Sequence, residues 1–142
     1  MKILAYNCRV LKKTTTIRAL RKLIKRTCLD IIFLSETHLD EWPAESLRRS
    51  LGMDYKEVVS SDGRSGGLLL LWKKEVGVSL GFKMTNFIDV FVGNNQNNVW
   101  RFTGIYGGPR WQDKYKTWQL LRDLNAANDL PWLVMGDLNK IL

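Results

Sequence analysis

The chain has 142 residues, 45% hydrophobic and 25% charged, with a formal net charge of +8. No apolar run reaches the roughly 18 residues of a membrane-spanning helix, and the apolar part of "MKILAYNCR" is too short for a secretory signal. An intracellular protein, nuclear or cytoplasmic, is therefore expected. Cys8 and Cys28 form no CxxC pair, which excludes a thiolate zinc site and a disulfide framework; both are expected as small buried side chains.

One domain over residues 1–142 is the expectation at this length. Residues 1–28 carry nine Lys or Arg and no Asp or Glu, whereas the remainder holds thirteen basic and fourteen acidic side chains. A basic segment this concentrated points to a polyanionic partner.

"KILAYN" reads as a short strand ending in a polar residue. Thr14, Thr15 and Thr16 follow as a loop supplying an N-cap. Ile17, Leu20, Leu23 or Ile24, and Cys28 then fall at helical spacing, with Arg18, Arg21, Lys22 and Lys25 on the opposite face. "DIIFLSE" is a continuous apolar run suited to a strand buried on both faces. Strand, helix and strand make a βαβ unit with parallel strands, so Asn7 and Glu36 should emerge at one carboxyl edge, where α/β sheets build sites.

"PAESLRRSLG" reads as a short helix, with Pro43 near its start and Gly52 as its stop. "YKEVVS" and "GGLLLLW" flank "SDGRS" as a hairpin. "VGVSLGF", "NFIDVFV" and "VWRFTGIY" are further strands, with "GNNQNN" as a turn. "YKTWQLLRDLNAA" is helical, with Tyr115, Trp118, Leu121 and Leu124 on one side. "WLVMGD" is the last strand.

Asn7, Glu36, Tyr106, and Asp137 with Asn139, each follow an apolar strand. Singly, each has an ordinary reading: a solvated Glu, a packing Tyr, an Asx turn. On one shared edge they would form a cleft of carboxylates, amides and a phenol. Mg²⁺ prefers oxygen ligands and takes only one or two protein carboxylates, which makes Glu36 the natural ligand. Asn7 and Asn139 suit phosphate oxygens, Tyr106 a phosphate oxygen or the attacking water, and Asp137 the orientation or deprotonation of that water. The set is fit for cleaving a phosphate ester.

The blocks "AYNCR", "IIFLSET", "GIYGGP" and "VMGDLN", in this order, resemble the endonuclease/exonuclease/phosphatase superfamily. More narrowly, through "RALRKLI", "SGGLLLLW", "TWQLLRDL" and "LPWLVMGDLNKIL", the chain is similar to the endonuclease domain of plant LINE-type (non-LTR) retrotransposons. The resemblance covers essentially the whole chain. It implies an α/β fold, a four-layer α/β/β/α sandwich of DNase I-like type, with Mg²⁺ or Mn²⁺ as cofactor. It also implies that Asn7 lies near the metal, Glu36 binds it, and Tyr106 faces the scissile phosphate. Asp137 and Asn139 would activate water and stabilise the transition state.

A family domain runs to about 220–250 residues. Its later Asp and its closing Ser-Asp-His block have no counterpart here, and the one histidine, His38, lies two residues past Glu36. The resemblance therefore implies the N-terminal part of such a domain, inactive or nearly so, with the second sheet largely missing. "GGLLLLW" and "IIFL" should then leave an exposed apolar patch of several hundred Å². Lys140 stands where related domains usually carry an acidic residue.

The partner implied is DNA, alongside a reverse transcriptase or other domain of a parent element. Arg9, Lys12 and Lys13, directly after Asn7, are candidates for its phosphate backbone, with Arg110 and Arg64 weaker ones. Two rivals stand: a phosphoesterase of the same superfamily acting on a small phosphoester, and a non-catalytic nucleic-acid-binding relic.

Overall fold

The computed structural model describes residues 1–9, 14–61 and 66–139. Two four-stranded sheets pack face to face. The first holds β1 (Ile3–Asn7), β2 (Ile31–Ser35), β3 (Tyr55–Val59) and β4 (Leu68–Trp72) in the order β1-β2-β4-β3. The second holds β5 (Val78–Met84), β6 (Phe87–Val92), β7 (Trp100–Tyr106) and β8 (Trp132–Asp137) in chain order.

β1 and β2 are parallel, with Asn7 opposite Ser35. Between them runs helix α1 (Thr14–Thr27), giving the βαβ unit that the apolar spacing predicts. The second sheet repeats the arrangement: β7 and β8 are parallel, with Tyr106 opposite Asp137, and helix α3 (Lys114–Ala126) connects them. β1 and β8, each an edge strand of its own sheet, contact one another, so both βαβ units lie at the same side of the molecule. Helix α2 (Glu41–Ser50) follows β2 and stops before Gly52, whose φ of +69° suits glycine.

Three apolar layers hold these elements. Outside the first sheet, Leu20 and Ile24 of α1 and Ala44 and Leu47 of α2 pack on Ile32, Leu34, Leu69 and Leu71. Between the sheets, Ile31, Phe33, Leu68 and Leu70 meet Ile88, Val90 and Phe102. Outside the second sheet, Leu120, Leu121 and Leu124 of α3 cover Phe87, Ile105 and Val134. The result is the α/β/β/α sandwich.

The expectation that the second sheet is largely missing is corrected here. "VGVSLGF", "NFIDVFV", "VWRFTGIY" and "WLVMGD" supply its four strands themselves, and their inner apolar residues cover β2 and β4, which are buried throughout. The apolar patch expected above those strands is therefore absent. Large apolar side chains are exposed instead on edge strand β5, at Leu80, Phe82 and Met84. The sheets approach so closely at Gly104 that a Cβ there would enter the Phe33 ring.

Three smaller differences concern helices and cysteines. α1 begins at Thr14, so the threonines form its first turn rather than a capping loop. On α3, Leu124 is buried, but Tyr115 is 69% and Trp118 45% exposed; Thr117 takes the buried position instead. Cys8 is buried, whereas Cys28, with φ +53° at the end of α1, is exposed. No helix among the described residues is long and apolar enough to cross a membrane.

A buried charge pair lies under α3. Arg101 forks onto Asp89, with Nε to Oδ1 at 2.8 Å and Nη2 to Oδ2 at 2.9 Å. Thr103 donates to the same carboxylate at 2.6 Å and accepts from Trp132 Nε1 at 2.8 Å. The remaining Arg101 nitrogen donates to the carbonyl of Leu124, which fixes the end of α3. Burial without partners would be costly, so the network is fully paired.

Candidate active site

The parallel strands β1 and β2 of one sheet, and β7 and β8 of the other, end on the same rim. There the two sheets are joined by two side-chain hydrogen bonds. Asn7 Nδ2 donates to Asp137 Oδ2 at 3.1 Å, and the Tyr106 hydroxyl donates to Glu36 Oε1 at 2.6 Å. Asn139 is held beside them, its Nδ2 donating to the Gly107 carbonyl at 2.7 Å. All five side chains are half-buried.

Local turns aim these groups. The backbone N–H of Arg9 donates to Asn7 Oδ1 at 3.0 Å, and that of Asn139 donates to Asp137 Oδ1 at 2.9 Å. These are two Asx turns of the same kind. Arg9, Glu36 and Asn139 have φ of +54°, +51° and +49°, a region that side-chain-bearing residues enter rarely and that concentrates at functional sites. Gly136, just before Asp137, has φ +139°, and a Cβ there would overlap the Ile105 carbonyl. The Asx turn and the cross-sheet bond thus both involve Asp137.

Burial, then the hydrogen bond to Glu36, pushes the Tyr106 phenol up to about 12. It is a protonated donor at neutral pH. The Cys8 thiol is also pushed up to about 12, by burial first and the Glu36 charge second; it is not a nucleophile.

Two clefts open on the rim. One, of about 530 Å³, is lined by Asn7, Ser35, Pro109, Lys114, Asp137 and Asn139. The other, of about 480 Å³, lies on the Glu36 and Tyr106 side, with Thr85, Asn86, Asp113 and Lys116 in its wall. Lys114, Lys116, Thr85 and Asn86 escape a sequence reading. The lysines look like ordinary helix surface, Thr85 falls between two strand runs, and Asn86 reads only as the first residue of the strand "NFIDVFV".

The donor set consists of oxygens. Glu36 Oε2 accepts no hydrogen bond among the described residues, and Asn7 Oδ1 accepts one, so both have capacity for a hard divalent cation. No cluster of three or more His, Cys, Asp or Glu occurs among the described residues. Arg9 and Arg110 are exposed beside the rim. Lys12, Lys13, Arg64 and Lys140 lie outside the described residues.

Four layers with polar strand ends of both sheets on one rim define a DNase I-like sandwich. Residues 4–141 match the Endonuclease/Exonuclease/phosphatase family, and the chain belongs to that family. Comparison with curated proteins gives no match.

Among solved structures, the chain is similar to the endonuclease domain of TRAS1, a telomere-specific non-LTR retrotransposon. The TM-score is 0.68 and the identity 12%, over 99% of this chain and 59% of that one. An AP endonuclease from Archaeoglobus fulgidus gives 0.66 and 17%, over 96% and 56%. D. rerio TDP2 complexed with a single-strand DNA product gives 0.60 and 14%, over 88% and 54%. The chain thus spans little more than half the length of these structures. At these identities the likeness is one of fold.

Proposed function

We propose that the rim cleaves phosphodiesters in DNA, as part of a Mg²⁺-dependent (or Mn²⁺-dependent) nicking endonuclease of retroelement type. The observation that carries the reading is the pair of cross-sheet bonds, Asn7 to Asp137 and Tyr106 to Glu36. They gather two carboxylates, an amide and a phenol around clefts open to a polymer, and Asn139, held by the Gly107 carbonyl, adds a second amide. The DNA-processing neighbours support the substrate class, and the basic first 28 residues suit a polyanion.

Glu36 and Asn7 would hold the metal, which when bound neutralises charge on the phosphoryl oxygens. Asp137 is oriented by Asn7 and by the Asn139 backbone, so its remaining lone pairs can orient and deprotonate water. Tyr106, kept protonated, donates to a phosphate oxygen or fixes Glu36. Asn139 and Asn7 offer N–H donors without adding negative charge. Arg9, Lys12, Lys13 and Arg110 bind the flanking backbone. With no larger ligand cluster among the described residues, metal affinity is weak and turnover by this chain low.

The test compares nicking of supercoiled plasmid with hydrolysis of inositol phosphates, each with Mg²⁺ and with EDTA. Mg²⁺-dependent nicking alone supports the reading. Preferred turnover of the small phosphoester moves the chain to the rival class, and DNA binding with no cleavage of either makes it a binding module.

A further inference from the structure

The first turn of α3 and the short 3-10 helix before it (Trp111–Asp113) carry two aromatic rings that the core does not use. Trp111 is 83% exposed and Tyr115 is 69% exposed. Trp111 opens the 3-10 helix, and Tyr115 follows four residues later in the first turn of α3. Lys114 Nζ sits 4.4 Å from the Trp111 ring centroid, which steadies the ring while leaving most of it open to solvent.

Neighbours of both rings in this segment line the two clefts. Lys114 lines the Asp137 and Asn139 side, Lys116 lines the Glu36 and Tyr106 side, and Pro109 borders both. Residues 110–118 hold three cations (Arg110, Lys114, Lys116) and one carboxylate, Asp113. Exposed aromatics alternating with cations next to a phosphate-cleaving cleft match what an unpaired strand requires: rings for base faces and cations for phosphates. A closed duplex hides its base faces, so the rings have no use for one.

Building on the reading of the rim as a nucleic-acid-cleaving site, we infer that Trp111 and Tyr115 form a stacking platform for unpaired bases beside the scissile phosphate, with Lys114 and Arg110 on the backbone. The substrate class is then a single strand or a duplex opened at the cut, not an intact duplex.

The test measures fluorescence anisotropy of a short labelled single strand in EDTA, against the same strand made abasic and against a blunt duplex. The proteins are the full chain, Trp111→Ala and Trp111→Phe, with plasmid nicking assayed in parallel. The platform predicts that Trp111→Ala loses about ten-fold or more in affinity for the base-containing strand, with little change for the abasic strand. Trp111→Phe keeps most of the affinity.

Equal losses on both strands, or none on either, overturn the platform. So does a wild-type preference for the blunt duplex, or a dimer that Trp111→Ala converts to monomer with strand binding unchanged. If nicking persists in any of these cases, the endonuclease reading stands alone. If the wild-type chain neither nicks nor binds any of the three, both readings fall.

Discussion

Tyr106 donates a 2.6 Å hydrogen bond to Glu36, a residue 70 positions earlier in the chain and in the other half of the sandwich. Its counterpart, Asn7 to Asp137, spans 130 positions. Neither bond forms until both sheets are in place, so the rim's geometry reports directly on sheet packing.

If the Tyr106 hydroxyl acts as a donor in the reaction, Tyr106→Phe should lower the nicking rate about 10²-fold with the fold intact. Glu36→Gln should abolish Mg²⁺-dependent cleavage. Because the two groups touch, the double variant should fall short of the product of the single losses. Circular dichroism and single-turnover nicking check this; strictly multiplicative losses would separate Tyr106 from Glu36.

Gly136→Ala should cost at least about 1–3 kcal/mol through its backbone conformation, before any clash with Ile105 is counted. The same substitution shifts Asp137, so activity should drop further than stability. Urea titration and nicking rate on the same preparation measure the two.

The Arg101–Asp89 pair gives a sharper stability contrast. Asp89→Ala strands a guanidinium that is 3% exposed and should cost about 3–5 kcal/mol. The double replacement Asp89→Leu with Arg101→Leu should cost less than either single change. A double variant worse than both would show that the tie to Leu124, and not charge pairing, holds α3.

Glu45 supplies a pH-dependent contribution. Its hydrogen bond from Arg48, then that from Lys56, hold the carboxyl at about 2, against 4.5 for the free side chain. A depressed folded value stabilises above the unfolded one, so this contribution is full above pH 4.5 and fades as pH falls toward 2. Glu45→Gln should therefore destabilise at pH 7 and approach wild type near pH 2, read from urea midpoints across that range.

Much of this architecture was legible from pattern. The spacing of Leu20 and Ile24 between two apolar runs shows the first βαβ unit, and strand ends at Asn7, Glu36, Tyr106 and Asp137 show the rim. Other features were not legible, for physical reasons. "NFIDVFV" hides a buried Asp89 whose partner, Arg101, is found only through strand register. Tyr115 looks like core by spacing, yet the turn of α3 exposes it. All four strands of the second sheet, "VGVSLGF" included, read as strands; the sheet was underestimated because family length was weighed instead, and pattern alone does not show that these four strands pair with one another.

The most direct measurement is a Mg²⁺ titration of plasmid nicking by the wild-type chain, Glu36→Gln and Asp137→Asn. Slow nicking that rises with Mg²⁺, is stopped by EDTA and is lost in both variants is the predicted result. Nicking that persists undiminished in Glu36→Gln, or no nicking at any Mg²⁺ concentration, would contradict it.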